Sequence, residues 1–131
     1  MEYTPEIAAL CASIGARLLD RTNPGWEQAV VPRRLKMDNS STCVIGQLYP
    51  ATAYPIGLQQ AGVYDAAHDD LREESLGQDE LLMEGDEKRF GFNLPDFDLN
   101  YEAIQMGYAT LARAWKREIA KRKRKSRAVH A

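Results

Sequence analysis

No run of apolar residues in this chain approaches the roughly 18 that a membrane-spanning helix needs, so no stretch reads as a transmembrane segment. Cysteine is scarce. Cys11 and Cys43 are too few for the disulfide scaffold of a small secreted domain, and the first twenty residues pattern as a capped amphipathic helix rather than a signal peptide. The expectation is therefore a cytoplasmic protein. The only other soft metal ligands are His68 and His130, scattered singly instead of in the close pairs of zinc sites. A Gly-rich phosphate loop, G-x-S-x-G and H-E-x-x-H are all missing, which leaves an enzyme reading, or a cofactor, without specific support. Helix-turn-helix, RNA-recognition and zinc-finger patterns are missing too, as are internal repeats. No convincing period-two strand occurs, although residues 30–37 can contribute one short extended pair.

What the chain does contain is helical periodicity near each end. Tyr101, Ile104, Tyr108, Leu111, Trp115 and Ile119 fall within a stripe about 80° wide at 100° per residue, a face made to be buried. Asp98 is placed to cap that helix and Glu102 to meet its dipole. Near the other terminus, Thr4-Pro5-Glu6 is a helix start, and Ile7, Leu10, Cys11, Ile14 and Leu18 form a second stripe about 100° wide. The spacing predicts a first helix from Pro5 to about Arg21 that packs on the last one. Ala12, Gly15 and Ala16 can let another element approach it closely.

Between these helices the signals are short. Asn23-Pro24-Gly25 ends the first helix ahead of a brief one holding Trp26, a candidate core anchor. Asp38, Asn39, Ser40 and Ser41 each offer a cap for a helix over residues 41–49, in which Gly46 suggests a tight crossing. Tyr54-Pro55 opens another helix through Gln60, closed by Gly62. Residues 65–76 read as a solvated acidic helix anchored only by Leu71 and Leu76. Part of 65–91 is expected to be an exposed or mobile excursion, after which Phe90, Phe92, Leu94 and Phe97 return to the core. The fold expected is mostly α: a compact single-domain bundle of two longer helices and several short ones, over residues 1–120, with a basic C-terminal tail over 121–131.

The net charge of −2 hides a division along the chain. Residues 1–64 are neutral; residues 65–102 carry thirteen acids against three bases; residues 113–127 carry nine bases against Glu118 alone. The basic run Lys121, Arg122, Lys123, Arg124, Lys125 and Arg127 is the sharpest functional candidate, because cations on a projecting end can contact phosphates or an acidic partner. Its bland reading is a solvated tail, or one that satisfies the chain's own acids. Arg122 falls on the angle of the buried stripe, so core packing is expected to end near Ile119. Asp69, Asp70, Glu73 and Glu74 form the matching candidate for a basic partner. A charged helix face explains them better than a metal site, since no D-x-D-x-D-G loop with a distal Glu is present. Asp96 and Asp98 are explained by a turn and a cap. Cys43, near a helix N-terminus, has the position of an activated thiol, but no histidine lies nearby and a buried, inert cysteine is the preferred reading.

Gly15-Ala16-Arg17-Leu18-Leu19-Asp20, Pro24-Gly25-Trp26, Cys43-Val44-Ile45-Gly46-Gln47, Gly91-Phe92 and the Ala114-Trp115 pair of the last helix together resemble a set of small uncharacterised proteins of actinobacteria and their bacteriophages. The resemblance covers both ends and omits residues 65–88. It implies a packing pattern and a phage or actinobacterial origin, with no established activity. The functional expectation is a non-enzymatic accessory protein, of phage origin, that binds a host or virion protein in the host cytoplasm. The alternative is a nucleic-acid-binding protein that uses the basic tail.

Overall fold

The computed structural model describes residues 3–73, 85–95 and 100–130, with side chains through 127. Among these residues every regular element is helical: α1 (Pro5–Thr22), α2 (Trp26–Ala29), α3 (Val44–Leu48), α4 (Tyr54–Gln60), α5 (Asp69–Arg72), α6 (Asp86–Arg89) and α7 (Tyr101–His130), with single 3-10 turns at Pro32–Arg34 and Ala66–His68. The protein is mostly α, and its most extensive contact is α1 along α7, the two long helices expected from the sequence. Residues 30–37 form no strand; Pro32–Arg34 turns instead.

The start of α1 follows from local chemistry. Thr4 Oγ1 accepts from Ile7 N at 3.2 Å and Pro5 occupies the first turn, where its missing N–H costs nothing. Cys11, Ile14 and Leu18 are buried as their stripe requires, and so are Ala12 and Ala16, where a close approach was expected, together with Leu19. The reason is residues 90–92, which run against α1 so closely that a Cβ on Gly15 would lie 1.9 Å from Phe90 O. Gly91 fits the same approach from the other side, with a φ of +71° and Cys11 carbonyl carbon 2.8 Å from its would-be Cβ. Burial thus wraps well past a single stripe.

Trp115 sits at the centre. It is wholly buried, stacks on Phe92 with ring centroids 5.4 Å apart, meets Trp26 edge-on at 5.7 Å, and donates from Nε1 to Gly91 O at 2.6 Å. Val44, Ile45, Leu58 and Phe90 complete the core around it. Trp26 is buried as expected, and its indole N–H is satisfied by Asp20 Oδ1 at 2.9 Å.

Three boundaries differ from expectation. The helix expected over 41–49 begins only at Val44, because Asn39 Oδ1 accepts from Ser41 N at 2.8 Å and holds residues 39–42 in a turn; Cys43 then caps α3 with its own sulfur, accepting from Gly46 N at 3.3 Å. At α7, Asn100 makes the cap-type bond, its Oδ1 accepting from Ala103 N at 2.8 Å, while Asp98, the expected cap, lies outside the described residues, as do Asp96 and Phe97. The same helix runs on to His130, well beyond Ile119, where core packing was expected to end and the basic tail to follow. Its length explains another departure. A 30-residue helix spans about 45 Å and the 18 residues of α1 about 27 Å, so α7 overhangs its partner. Tyr101, first in the apolar stripe, is therefore 76% exposed, whereas Leu111, Trp115 and Ile119 are buried.

Candidate functional site

Two of the acidic candidates are paired with arginines while their side chains stay exposed. Asp70 receives both terminal nitrogens of Arg21, at 2.9 and 2.8 Å, and Asp69 accepts from Arg72 at 2.7 Å. Arg72 also donates to the carbonyls of Asp65 and Val63 and lies 3.4 Å from Asp86, so one guanidinium gathers three stretches of the acidic segment. Leu71 is buried beneath them. The solvated helix expected over 65–76 is, as far as it is described, a 3-10 turn followed by the single turn α5. Glu73 is exposed at its end; Glu74 and the rest of 74–84 lie outside the described residues.

The basic candidates divide in two. Arg122 belongs to the fold. Its Nε and Nη2 donate to the two carboxylate oxygens of Asp20 at 2.9 and 2.8 Å, its Nη1 reaches Glu118 O at 3.2 Å, and its guanidinium lies 5.6 Å from the Trp26 ring centroid. A cation on the apolar stripe is thus accommodated by a carboxylate 102 positions away in sequence. Burial alone would raise the Asp20 carboxyl, but hydrogen bonds from Arg122 and Trp26 and the charges of Arg122 and Lys125 outweigh it and hold the group below the usual carboxylate range. A depressed folded-state pKa means stability that is present above about pH 4, the unfolded value, and lost as pH falls through the folded value. Asp20→Asn should therefore lower the unfolding free energy measured in urea near neutral pH by on the order of 1 kcal/mol, given that the side chain remains 44% exposed, and the difference from wild type should shrink as the pH falls below about 4.

The other cations face outward. Lys116, Arg117, Lys121, Arg124, Lys125 and Arg127 are exposed, as is Arg113 a turn earlier; Lys123 is half-buried beside Gln28 of α2. Lys121 touches Glu118 at 3.3 Å with its side chain still 65% exposed. None of the other seven has an acid within salt-bridge distance among the described residues. At 100° per residue, Arg113, Lys116, Arg117, Lys121, Arg124 and Arg127 occupy an arc of about 140° along roughly 21 Å of helix. Glu118, the one acid in this stretch, lies about 60° beyond the edge of that arc and is buried. The consecutive run covers residues 121–127, yet half of this face, Arg113, Lys116 and Arg117, lies earlier, and Arg113, Arg117 and Lys121 recur every fourth residue across the boundary. That spacing was visible in the sequence and belongs to the site.

Beside the basic face, residues 35–38 run along α7 and leave a groove of about 380 Å³ lined by Leu35, Lys36, Met37, Asp38, Gln105, Tyr108, Ala109, Ala112, Arg113 and Lys116. A smaller recess of about 140 Å³ adjoins it and shares Met37, Asp38 and Tyr108, with Ser40, Cys43, Tyr54, Phe92 and Asn93 behind them. Tyr108 donates to Asn93 Oδ1 at 3.0 Å and Tyr54 to Phe92 O at 2.9 Å, which fixes both rings. Cys43 is 2% exposed, and burial pushes its thiol up despite the α3 amides that favour the thiolate. Burial likewise pushes Cys11 up to about 12. Among the described residues, no three His, Cys, Asp or Glu side chains converge as a metal ion would require, and no helix is long and apolar enough to cross a membrane.

Comparison with known protein families, with curated proteins and with solved structures finds no match to this chain.

Proposed function

We propose that the protein is a non-enzymatic accessory factor that binds nucleic acid through phosphate contacts along the exposed face of α7. The observation that carries this reading is the row of six exposed cations over roughly 21 Å of the longest helix, of which, among the described residues, only Lys121 touches an acid, the buried Glu118. A phosphate backbone presents charge at short, regular intervals, and each neutralised phosphate releases counterions, so such a row binds without reading sequence. The residues that share the arc beside the cations, Ala109, Thr110 and Ala120, supply no large apolar anchor of the kind that dominates protein interfaces. The net charge of −2 does not oppose this, because the acids Asp69 and Asp70 are paired within the chain and the basic face acts locally.

The second reading is an acidic protein partner, a host or virion component, and Met106 favours it: the side chain is 71% exposed and lies on the same angle of α7 as Arg124. Both readings suit a phage-derived protein acting in the host cytoplasm, the origin that the resemblance to actinobacterial and phage proteins suggests.

One binding assay separates them. A fluorescein-labelled 20-mer should bind the wild-type chain at low salt, and replacing Arg113, Arg117, Lys121 and Arg124 by Gln together should cost at least about 30-fold, on the order of 0.5 kcal/mol or more per contact removed. Unlabelled DNA should displace the probe at far lower charge equivalents than polyglutamate. Displacement by both alike would favour the acidic protein, and an unchanged affinity in the fourfold variant would remove the basic face from the account.

A further inference from the structure

The groove beside α7 differs from the basic face in having depth. Leu35, Met37 and Ala112 form a floor that is at most 8% exposed, while Lys36, Arg113 and Lys116 are exposed around it and have no acid within salt-bridge distance among the described residues. A floor for a flat apolar group and a rim for an anion are the two halves of one ligand, and the volume of about 380 Å³ lies within the usual range of small-molecule sites. We infer that this groove takes one nucleotide unit: its phosphate on Lys36, Arg113 and Lys116, and its base on Met37 and against Tyr108, with Asp38 at the base edge.

The polar groups support a base over a plain hydrocarbon. Asp38 lies in the wall of both the groove and its inner recess, as a carboxylate that accepts hydrogen bonds. Amino and imino hydrogens of a base are donors of that kind, and guanine presents two of them side by side on one edge. The Tyr108 hydroxyl, already committed to Asn93, keeps the ring in place as a surface for stacking. The same chemistry is offered by a free mononucleotide and by an unpaired base of a single strand. The strand adds its neighbouring phosphates, which continue onto Arg117, Lys121 and Arg124; only that extension rests on the reading of the basic face proposed above.

The test uses the full chain, with titration calorimetry at 20 mM salt against guanosine 5′-monophosphate, ribose 5-phosphate and inorganic phosphate, and anisotropy with a G-containing single strand and a duplex. Two variants keep the outcomes apart. Ala109→Tyr fills the groove from an exposed helical position, and Arg117→Gln with Lys121→Gln and Arg124→Gln strips the basic face while leaving the groove cations in place. The nucleotide should bind at least tenfold more tightly than ribose 5-phosphate or phosphate, Ala109→Tyr should abolish that binding, and the threefold variant should leave it unchanged. Single strand binding more tightly than duplex, with the preference lost in Ala109→Tyr, identifies the strand as the source; equal affinities for strand and duplex, with the mononucleotide still bound, identify the free nucleotide. Phosphate binding as well as the nucleotide, or Ala109→Tyr binding as well as wild type, overturns the groove assignment. If the threefold variant loses strand binding while no mononucleotide binds, the groove fails alone; if the mononucleotide binds and the threefold variant keeps full strand affinity, the basic face fails alone.

Discussion

Replacing Trp115 by alanine should remove about 5 kcal/mol of stability, a third or more of what a domain of ordinary stability has. Three losses coincide at this residue. Truncating a fully buried tryptophan leaves a cavity, at a cost of roughly 3–5 kcal/mol. The stacked contact with Phe92 and the edge contact with Trp26 go with it, at about 0.5–1.5 kcal/mol each and partly counted already in the burial. Gly91 O, which accepts from the indole at 2.6 Å, is left in the core without that donor. Urea unfolding followed by circular dichroism measures the sum, and a loss under about 2 kcal/mol would show that α7 is not held where the structure puts it.

Gly15→Ala should destabilise by about 3 kcal/mol although the same change in an exposed helix interior gains up to about 1 kcal/mol. The sign turns on what the methyl meets. Its carbon would lie 1.9 Å from Phe90 O and 2.9 Å from Cη2 of Trp115, and the first of these is backbone, pinned in turn because Trp115 holds Gly91 from the far side. Either α1 moves away from residues 90–92 or the Trp115 ring leaves its place, and each opens the core. Gly25→Ala is the control. At φ +84° with nothing within 4 Å of the added carbon, it should cost only the left-handed strain of roughly 1–2 kcal/mol. Unfolding midpoints for the two variants check the difference, and an equal or smaller loss for Gly15→Ala would contradict the close approach.

The two long helices were legible because each carries its own evidence: a cap and proline at Thr4-Pro5, and an apolar period kept over five turns through Trp115. What met what was not. Ala12, Gly15 and Ala16 announced a close neighbour, but only the folded chain shows that the neighbour is Phe90 to Phe92, some 75 residues on. Arg122 marked the end of the core by angle, and a pattern read on one helix has no means of showing that Asp20 waits on the other. Tyr101 failed for the complementary reason. Its angle is correct, but α1 is too short to reach it.

The same limits shaped the site. A run of consecutive cations is conspicuous in a sequence and spreads around a helix, so it included Arg122, which serves the fold, and missed Arg113, Lys116 and Arg117, which share the outward arc. The acidic counterpart looked free because Arg21 and Arg72 are few among many acids, yet Arg21 ties Asp70 to α1 and Arg72 pairs with Asp69 within its own turn. For Cys43, position at a helix start argued for reactivity, but the buried, inert reading preferred from the sequence is the one the structure shows.

The central claim is that phosphates lie along one face of α7, and the salt dependence of binding tests it most directly. With four to six contacts, the logarithm of the association constant for a 20-nucleotide single strand should fall against the logarithm of salt concentration with a slope of about −3 to −4, and the fourfold Gln variant should flatten that slope by about 3. A wild-type slope near zero, or the same steep slope in the variant, would contradict the claim.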